Sequence, residues 1–434
     1  MKFQKLLQLI KEASGGTLER GNLTHLEHFE DLILFSEKGI DILIKTIELL
    51  LKKQEFKITL KIDGSPACIF GKDPLDNKFF VATKGAFAQT PTIGKTVEEI
   101  NQIWSEKPGL RDKLIIALNY LSRLKIPNNI GYQGDILFSE NDKHNTTINN
   151  KNYITFKANT LTYAISQESK EYNKVNQAKF GIAIHTKYNI IRDENESIKT
   201  QQIEVDKEIY KSPTTEIYIV DTDGFNIKID LEDYVKQNLE NTLKELKNNK
   251  SKIAKIFSKI DQKPIIKDRL KVFINKNLDM PDMGIFGYVN TRTPNHILKR
   301  AYVKFVEGFK QDLTIYFDKE IDKAKSEKGK NGKENQKQEC LKILDDNKND
   351  MLFIVETFYN LIITKTRIWE EIEKSNQSMK SFSDVYVKDE STGEYTPTQQ
   401  EGFVIVTKDN NIKVVNRKEF SRLNRIISAN RKKT

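Results

Sequence analysis

The segment LKIDGSPACIFG, residues 60–71, holds the residue types and spacing with the clearest chemical potential. Phe56, Ile58, Leu60 and Ile62 alternate with Lys57, Thr59, Lys61 and Asp63. That period of two is the signature of a β-strand. Side chains two apart share a face, so Lys61 and Asp63 are expected side by side. Gly64 and Pro66 then end the strand. The pattern puts an amine at the lip of a sheet with a carboxylate next to it. An unprotonated lysine is a good nucleophile, but its ordinary pKa is about 10.4. A site that uses one needs neighbouring cations or desolvation to free the lone pair. The same four residues, K-x-D-G, also fit an exposed strand lysine paired with an aspartate.

The elements around this segment follow from periodicity. A helix is expected over 39–53, where Ile40, Leu43, Ile44, Ile47, Leu50 and Leu51 recur at helical spacing. Strands are expected at 67–70 and 79–83, across the turn-rich GKDPLDNK, and at 131–138, 153–157, 179–186 and 215–220. Helical text covers 96–104 and 110–124. From 231 to 376 the chain becomes rich in Lys, Glu and Leu. It reads as helices over 231–260, 265–276, 295–322 and 349–374, broken by two loops at 279–295 and 323–339. Strand text resumes at 385–387, 403–407 and 412–415, with a hairpin turn at 408–411. The expected organisation is an N-terminal helical segment (1–55), a sheet domain in two parts (56–230 and 377–415), a helical insertion (231–376) and a basic C-terminal helix (416–434).

Composition bounds the function. The 434 residues are 38% hydrophobic and 30% charged, with a formal charge of +10. A core is therefore expected, and global disorder is not. The positive excess suits an anionic partner such as a nucleotide or nucleic acid. Two cysteines, Cys68 and Cys340, exclude a disulfide scaffold and a four-cysteine zinc module, and fit a reducing compartment. No apolar run of about 18 residues exists, so no membrane span is expected. The start, MKFQKLLQLIKEASGG, reads as an amphipathic helix and not as a cleaved signal.

Residues 60–71 resemble motif I of the covalent nucleotidyltransferases, the superfamily of ATP-dependent DNA and RNA ligases and mRNA capping enzymes. Further segments follow in that superfamily's order. FFVATKGAF (79–87) resembles the S/T-K-G segment of phage-type RNA ligases. YQGDILF (132–138) is similar to motif III, EGFVIV (401–406) to motif IV and IKVV (412–415) to motif V. Ser65 fits the K-x-D-G-S of the phage-type RNA ligases, whereas DNA ligases usually carry Arg where Pro66 stands. The resemblance implies an α+β fold: an antiparallel-sheet, ATP-grasp-like adenylation domain interrupted by an all-helical insertion. Only 19 residues follow Val415, too few for a C-terminal OB-fold, which DNA ligases and capping enzymes carry.

The implied roles are specific. Lys61 attacks the α-phosphorus of ATP and becomes a lysyl-AMP. Asp63 orients it. Asp135 and Glu401 hold Mg2+, directly or through water, with Mn2+ as a substitute. Lys84 and Lys413 face the phosphates, and Gly64 belongs with them to the ATP-binding set. Phe180 or His185, in KFGIAIHTKY, takes the place of the aromatic that stacks on adenine. Phe180 also reads as a core residue alternating with Ile182 and Ile184. Two positions depart from the pattern: motif III usually ends in Glu where Asp135 stands, and Val415 replaces a second motif V lysine.

The resulting expectation is an ATP-dependent RNA ligase that seals 5′-phosphate and 3′-hydroxyl ends of nucleic acid. The rivals are a DNA ligase and a non-catalytic nucleotide- or nucleic-acid-binding protein on a ligase scaffold. A cytoplasmic location is expected, in the host cytoplasm if the protein is virus-encoded, as the phage-like motifs and the Lys-, Asn- and Ile-rich composition suggest. His25 and His28 lack the spacing and partners of a zinc site. Asp221–Gly224 reads as a turn and not a calcium loop. The tail 416–434 carries seven Lys or Arg against one Glu, which suits phosphate contact or a solvated helix.

Overall fold

A computed structural model describes residues 28–34, 37–52, 55–62, 64–88, 90–192, 198–203, 205–211, 214–222, 224–277, 295–376, 383–389, 392–398, 401–406 and 411–415. The N-terminal helix, most of the 279–295 loop, nearly all of the 408–411 turn and the basic C-terminal helix lie outside these residues. So do Asp63 and His25.

Among the described residues, a 3-10 turn (Phe29–Leu34) and helix α1 (Glu37–Leu51) come first, followed mainly by strands. They are β1 (Glu55–Lys61), β2 (Ala67–Lys72), β3 (Phe79–Ala82) and β4 (Ile93–Gly94). Helices α2 (Val97–Ile103) and α3 (Pro108–Leu121) follow, then β5 (Ile130–Ser139), β6 (Lys143–Ile148), β7 (Lys151–Lys157) and β8 (Thr162–Ser166). Next come α4 (Tyr172–Gln177), β9 (Phe180–Ile191), β10 (Lys199–Ile203), β11 (Ile217–Val220) and β12 (Phe225–Lys228). Five helices then run in sequence: α5 (Asp233–Asp261), α6 (Pro264–Asn277), α7 (Asn295–Lys323), α8 (Glu327–Asp346) and α9 (Lys348–Asn376). The last strands are β13 (Asp384–Lys388), β14 (Tyr395–Pro397), β15 (Gly402–Val406) and β16 (Asn411–Val415). No helix among the described residues is long and apolar enough to cross a membrane.

The strands form three sheets. Four make the order β12-β1-β15-β16. Seven make the order β10-β9-β5-β2-β3-β4, with β11 added beside β9. Five make the order β14-β13-β8-β7-β6. Every pairing is antiparallel except β11 against β9. The fold is therefore mixed α+β, with largely antiparallel sheets and a helical segment.

One core joins that segment to the four-stranded sheet. Phe56, Ile58, Ile227, Phe403, Ile405, Ile412 and Val414 point to one side and pack with α1 and α5–α9. Burying each such side chain stabilises by about 1.5–3 kcal/mol, so the helices and the sheet support one another. Alternation sends Lys57, Thr59, Lys61, Val404 and Lys413 to the other side. A buried ion pair reinforces the same contact. Lys365 of α9 meets Glu30 at 2.5 Å, with side-chain exposures of 3% and 0%. Glu30 lies in a buried 3-10 turn, Phe29–Leu34, entered through His28. His28 bridges to Lys413 on β16.

The lysine-rich stretch 323–339 is not the expected loop. Most of it belongs to α8. Ser326 caps that helix by accepting a bond from Gly329 N at 3.1 Å. Lys330–Glu327 and Lys337–Glu334 pair one turn apart, and Lys337 also reaches Asp318 on α7 at 2.6 Å. Cys340 and Leu344 anchor the far end in the core. Lys, Glu and Gln are good helix formers, and pairing at this spacing adds to that preference.

Candidate active site

Lys61 ends β1, the second strand of the four-stranded sheet. It stands opposite Gly402, the first residue of β15. Glu401, one residue earlier, is 5% exposed and forms an ion pair with Lys61 Nζ. Glu401 is thus a buried partner of the lysine and not a solvated strand end. Gly402 is squeezed between its neighbours: a Cβ there would meet Val414 O at 2.6 Å. The small residue lets β16 lie close alongside β15 at this position.

After Lys61 the chain crosses to the seven-stranded sheet. Ser65 N donates to Ile136 O at 2.9 Å, and Ile136 N donates to Pro66 O at 3.1 Å. Ala67 then pairs with Asp135. Gly64 sits hard against this strand. A Cβ on it would lie 2.5 Å from Ile136 O and 3.0 Å from Asp135 Cβ. Both are fixed parts of β5, so Gly64→Ala forces the crossing loop off the strand. We expect it to cost about 1–3 kcal/mol, as overpacking does. Urea unfolding measures this, and an unchanged midpoint would contradict the packing.

His185 reaches the same place through a β-bulge. On β9, Thr186 pairs with Gln133 and Ile184 with Gly134, which leaves His185 as the extra residue. A bulge redirects side chains, and here His185 and Thr186 turn to the same side. His185 Nδ1 lies 2.7 Å from Thr186 Oγ1, and its Nε2 lies 3.9 Å from Asp135 Oδ2. Although 37% of the side chain is open to solvent, protein crowds the rest of the ring. That desolvation, and then the charge of Lys61, lower its pKa to about 4. The imidazole is therefore neutral at pH 7 beside Asp135.

This shift has a sign. The folded value lies below the ordinary 6.5, so protonation favours the unfolded chain. His185 contributes fully above pH 6.5, and that contribution is lost as pH falls towards 4. Melting curves in EDTA should therefore show a steeper loss between pH 6.5 and 4 for the parent than for His185→Gln. Parallel profiles would rule the linkage out.

The structure thus brings Lys61, Glu401, Asp135 and His185 together where two sheets meet. Lys84 is exposed and opens a 3-10 turn after β3. The β2–β3 register pairs Ile69 with Ala82, two residues before Lys84, and Ala67, two residues before Ile69, pairs with Asp135. Lys413 lies two strands from β1, in line with Val404 and Thr59. Val415 occupies the row of Lys61 through Gly402.

Phe180 is not at this group. It is fully buried and stacks on Tyr120 of α3 at 5.8 Å. It shares that side of the sheet with Ile182 and Ile184, where α3 packs. Asp135 and His185 face the other way, so Phe180 is a core residue and cannot touch a nucleotide beside Lys61. The side of the sheet decides this, and the bulge at His185 moved the register.

Lys113 of α3 carries no motif and adds a contact that the sequence did not signal. Its Nζ donates to Ser65 O at 2.9 Å, inside the crossing loop. Helical spacing locates α3, but nothing in the spacing points to this long-range bond.

The donor set suits a hard cation in part. Asp135 and Glu401 offer carboxylate oxygens, and magnesium is commonly held by one or two carboxylates, with phosphates and water completing its shell. Among the described residues, no group of three or more His, Cys, Asp and Glu could hold a metal by itself. A divalent ion here would depend on its phosphate ligand.

Comparison with known proteins adds a family without an assigned activity. The profile described as "Family of unknown function (DUF6267)" matches residues 22–428. No curated protein and no solved structure matches the chain.

Proposed function

We propose that this chain, which belongs to the DUF6267 family, is an ATP-dependent polynucleotide ligase that works through a covalent lysyl-AMP, with RNA ends as substrate. In this reading its sheets form a nucleotidyltransferase adenylation fold with a helical insertion. One observation carries the proposal. A lysine at a strand end is paired to a buried glutamate, Glu401, beside an aspartate, Asp135, on the next sheet. The glycine that follows the lysine is pressed against that aspartate. These residues are the ones that the ordered motifs single out.

The chemistry follows from the groups present. Lys61 Nζ, once deprotonated, attacks the α-phosphorus of ATP. The N–P bond forms as the bond to pyrophosphate breaks, and the amine proton passes to solvent. Glu401 orients the amine before attack and takes up part of its charge balance. Asp135 and Glu401 would hold magnesium, which offsets phosphate charge when bound. Lys84 and Lys413 would add positive charge near the phosphates. AMP then passes to a 5′-phosphate end, and a 3′-hydroxyl displaces it.

Incubation with magnesium and ATP labelled on the α-phosphate tests the first step. Acid-labile label on the denatured protein is the expected result. No label with ATP or GTP, and with magnesium or manganese, on protein freed of bound nucleotide would leave a binding protein as the better reading. Supplying 5′-phosphorylated RNA and DNA in parallel then decides the acceptor.

A further inference from the structure

We propose that Lys113 is a positioning residue for attachment of the nucleotide to Lys61, acting through the loop that follows the nucleophile. The role rests on the nucleotidyl-transfer reading above. Three hydrogen bonds anchor the described residues of the crossing loop. Two are backbone bonds to β5, from Ser65 N to Ile136 O and from Ile136 N to Pro66 O. The third is the bond from Lys113 Nζ to Ser65 O, at 2.9 Å. It is the only one of the three made by a side chain, and it comes from a different layer of the fold.

Helix α3 gives that side chain a fixed base. Leu114, Ala117 and Leu121 are buried against the seven-stranded sheet. They occupy the side opposite Asp135 and His185. Lys113 therefore approaches the loop from behind and does not meet a nucleotide beside Lys61. A charged donor on a carbonyl makes a stronger bond than a neutral one. With Gly64 packed on Asp135 and Ser65 held from both sides, the loop has little freedom to slide along β5. That fixes how far Lys61, four residues before Ser65, projects towards Asp135.

The consequence is kinetic. Attack on phosphorus needs the amine close and in line, and a misplacement of about 1 Å costs on the order of 100-fold in rate. Loss of Lys113 should slow the covalent step without weakening the hold on ATP, because Lys113 does not touch it.

The test compares the parent, Lys113→Met and Lys113→Arg in single-turnover labelling over a range of ATP concentrations. Methionine keeps an unbranched stem and removes the donor; arginine keeps a donor. We expect Lys113→Met to lose about 10–100-fold in rate at saturating ATP, with KM for ATP within about twofold. Lys113→Arg should recover most of the rate. Hydrogen exchange at the Gly64 and Ser65 amides should be faster in Lys113→Met than in the parent, with melting temperatures alike. A parental rate in Lys113→Met would overturn the proposal. So would a loss confined to KM, or one shared by both variants with a lowered melting temperature. If the parent itself takes no label, the ligase reading fails and this role falls with it. A parent that takes label, beside a Lys113→Met protein at the same rate, sinks the role of Lys113 alone.

Discussion

Lys61→Arg protein is expected to fold like the parent and to take no covalent nucleotide. Arginine keeps a positive charge beside Glu401 and matches a carboxylate well. Its guanidinium stays protonated, with a pKa above about 12, and so offers no lone pair to phosphorus. Lys61→Ala is the blunter experiment. It removes the proposed nucleophile, and it also removes the ammonium that pairs with the buried Glu401. A loss of label in the alanine variant therefore mixes chemistry with stability, whereas the arginine variant separates them. Labelling with α-phosphate-labelled ATP reads the first quantity, and urea unfolding reads the second. Label on Lys61→Arg at the parental level would remove Lys61 as the nucleophile.

The largest expected effect on stability lies away from this site. Lys365→Met leaves Glu30 in the core without its ammonium partner. Breaking one half of a buried ion pair typically costs about 3–5 kcal/mol. The paired variant, Glu30→Gln with Lys365→Met, should regain most of that, because no unmatched charge remains. The double variant decides between two readings of the contact. If it is as unstable as the single one, packing around α9 and not charge is what the lysine supplies. A loss below about 1 kcal/mol in Lys365→Met would place the pair in the class of weak surface bridges.

Local periodicity carried well in this chain, and contacts between distant residues did not. The alternation from Phe56 to Ile62 located β1, which spans Glu55–Lys61, because one side of it meets the helical core. The Lys-, Glu- and Leu-rich text of 231–260 and 349–374 located α5 and α9, whose buried sides meet the same core. The stretch 323–339 misled because its helix rests on a cap, side-chain pairs and Lys337–Asp318, with few apolar residues to mark a buried side. Strands β6 and β10 carry a single apolar residue each, Ile148 and Ile203, so no alternation marks them. At the candidate site, the types Lys61, Asp135 and Glu401 were legible from motif order. Their neighbours were not. The bulge that aims His185 at Asp135 shows only in the β5–β9 register, and the reach of Lys113 to Ser65 spans 48 residues of sequence.

The pairing of β1 with β15 also sets when a nascent chain can bring Lys61 and Glu401 together. Lys61 and Glu401 are separated by 340 residues. At about 5–20 residues per second, a ribosome needs roughly 20–70 s to make the second after the first. Until β15 is made, the edge of β1 that it will cover stays open, although the helices that bury Phe56 and Ile58 have by then been made. An open apolar strand edge invites pairing with other chains, so the unfinished polypeptide is a natural client for chaperones. If Lys61 is the nucleophile, charging with nucleotide must wait until residue 401 has been made.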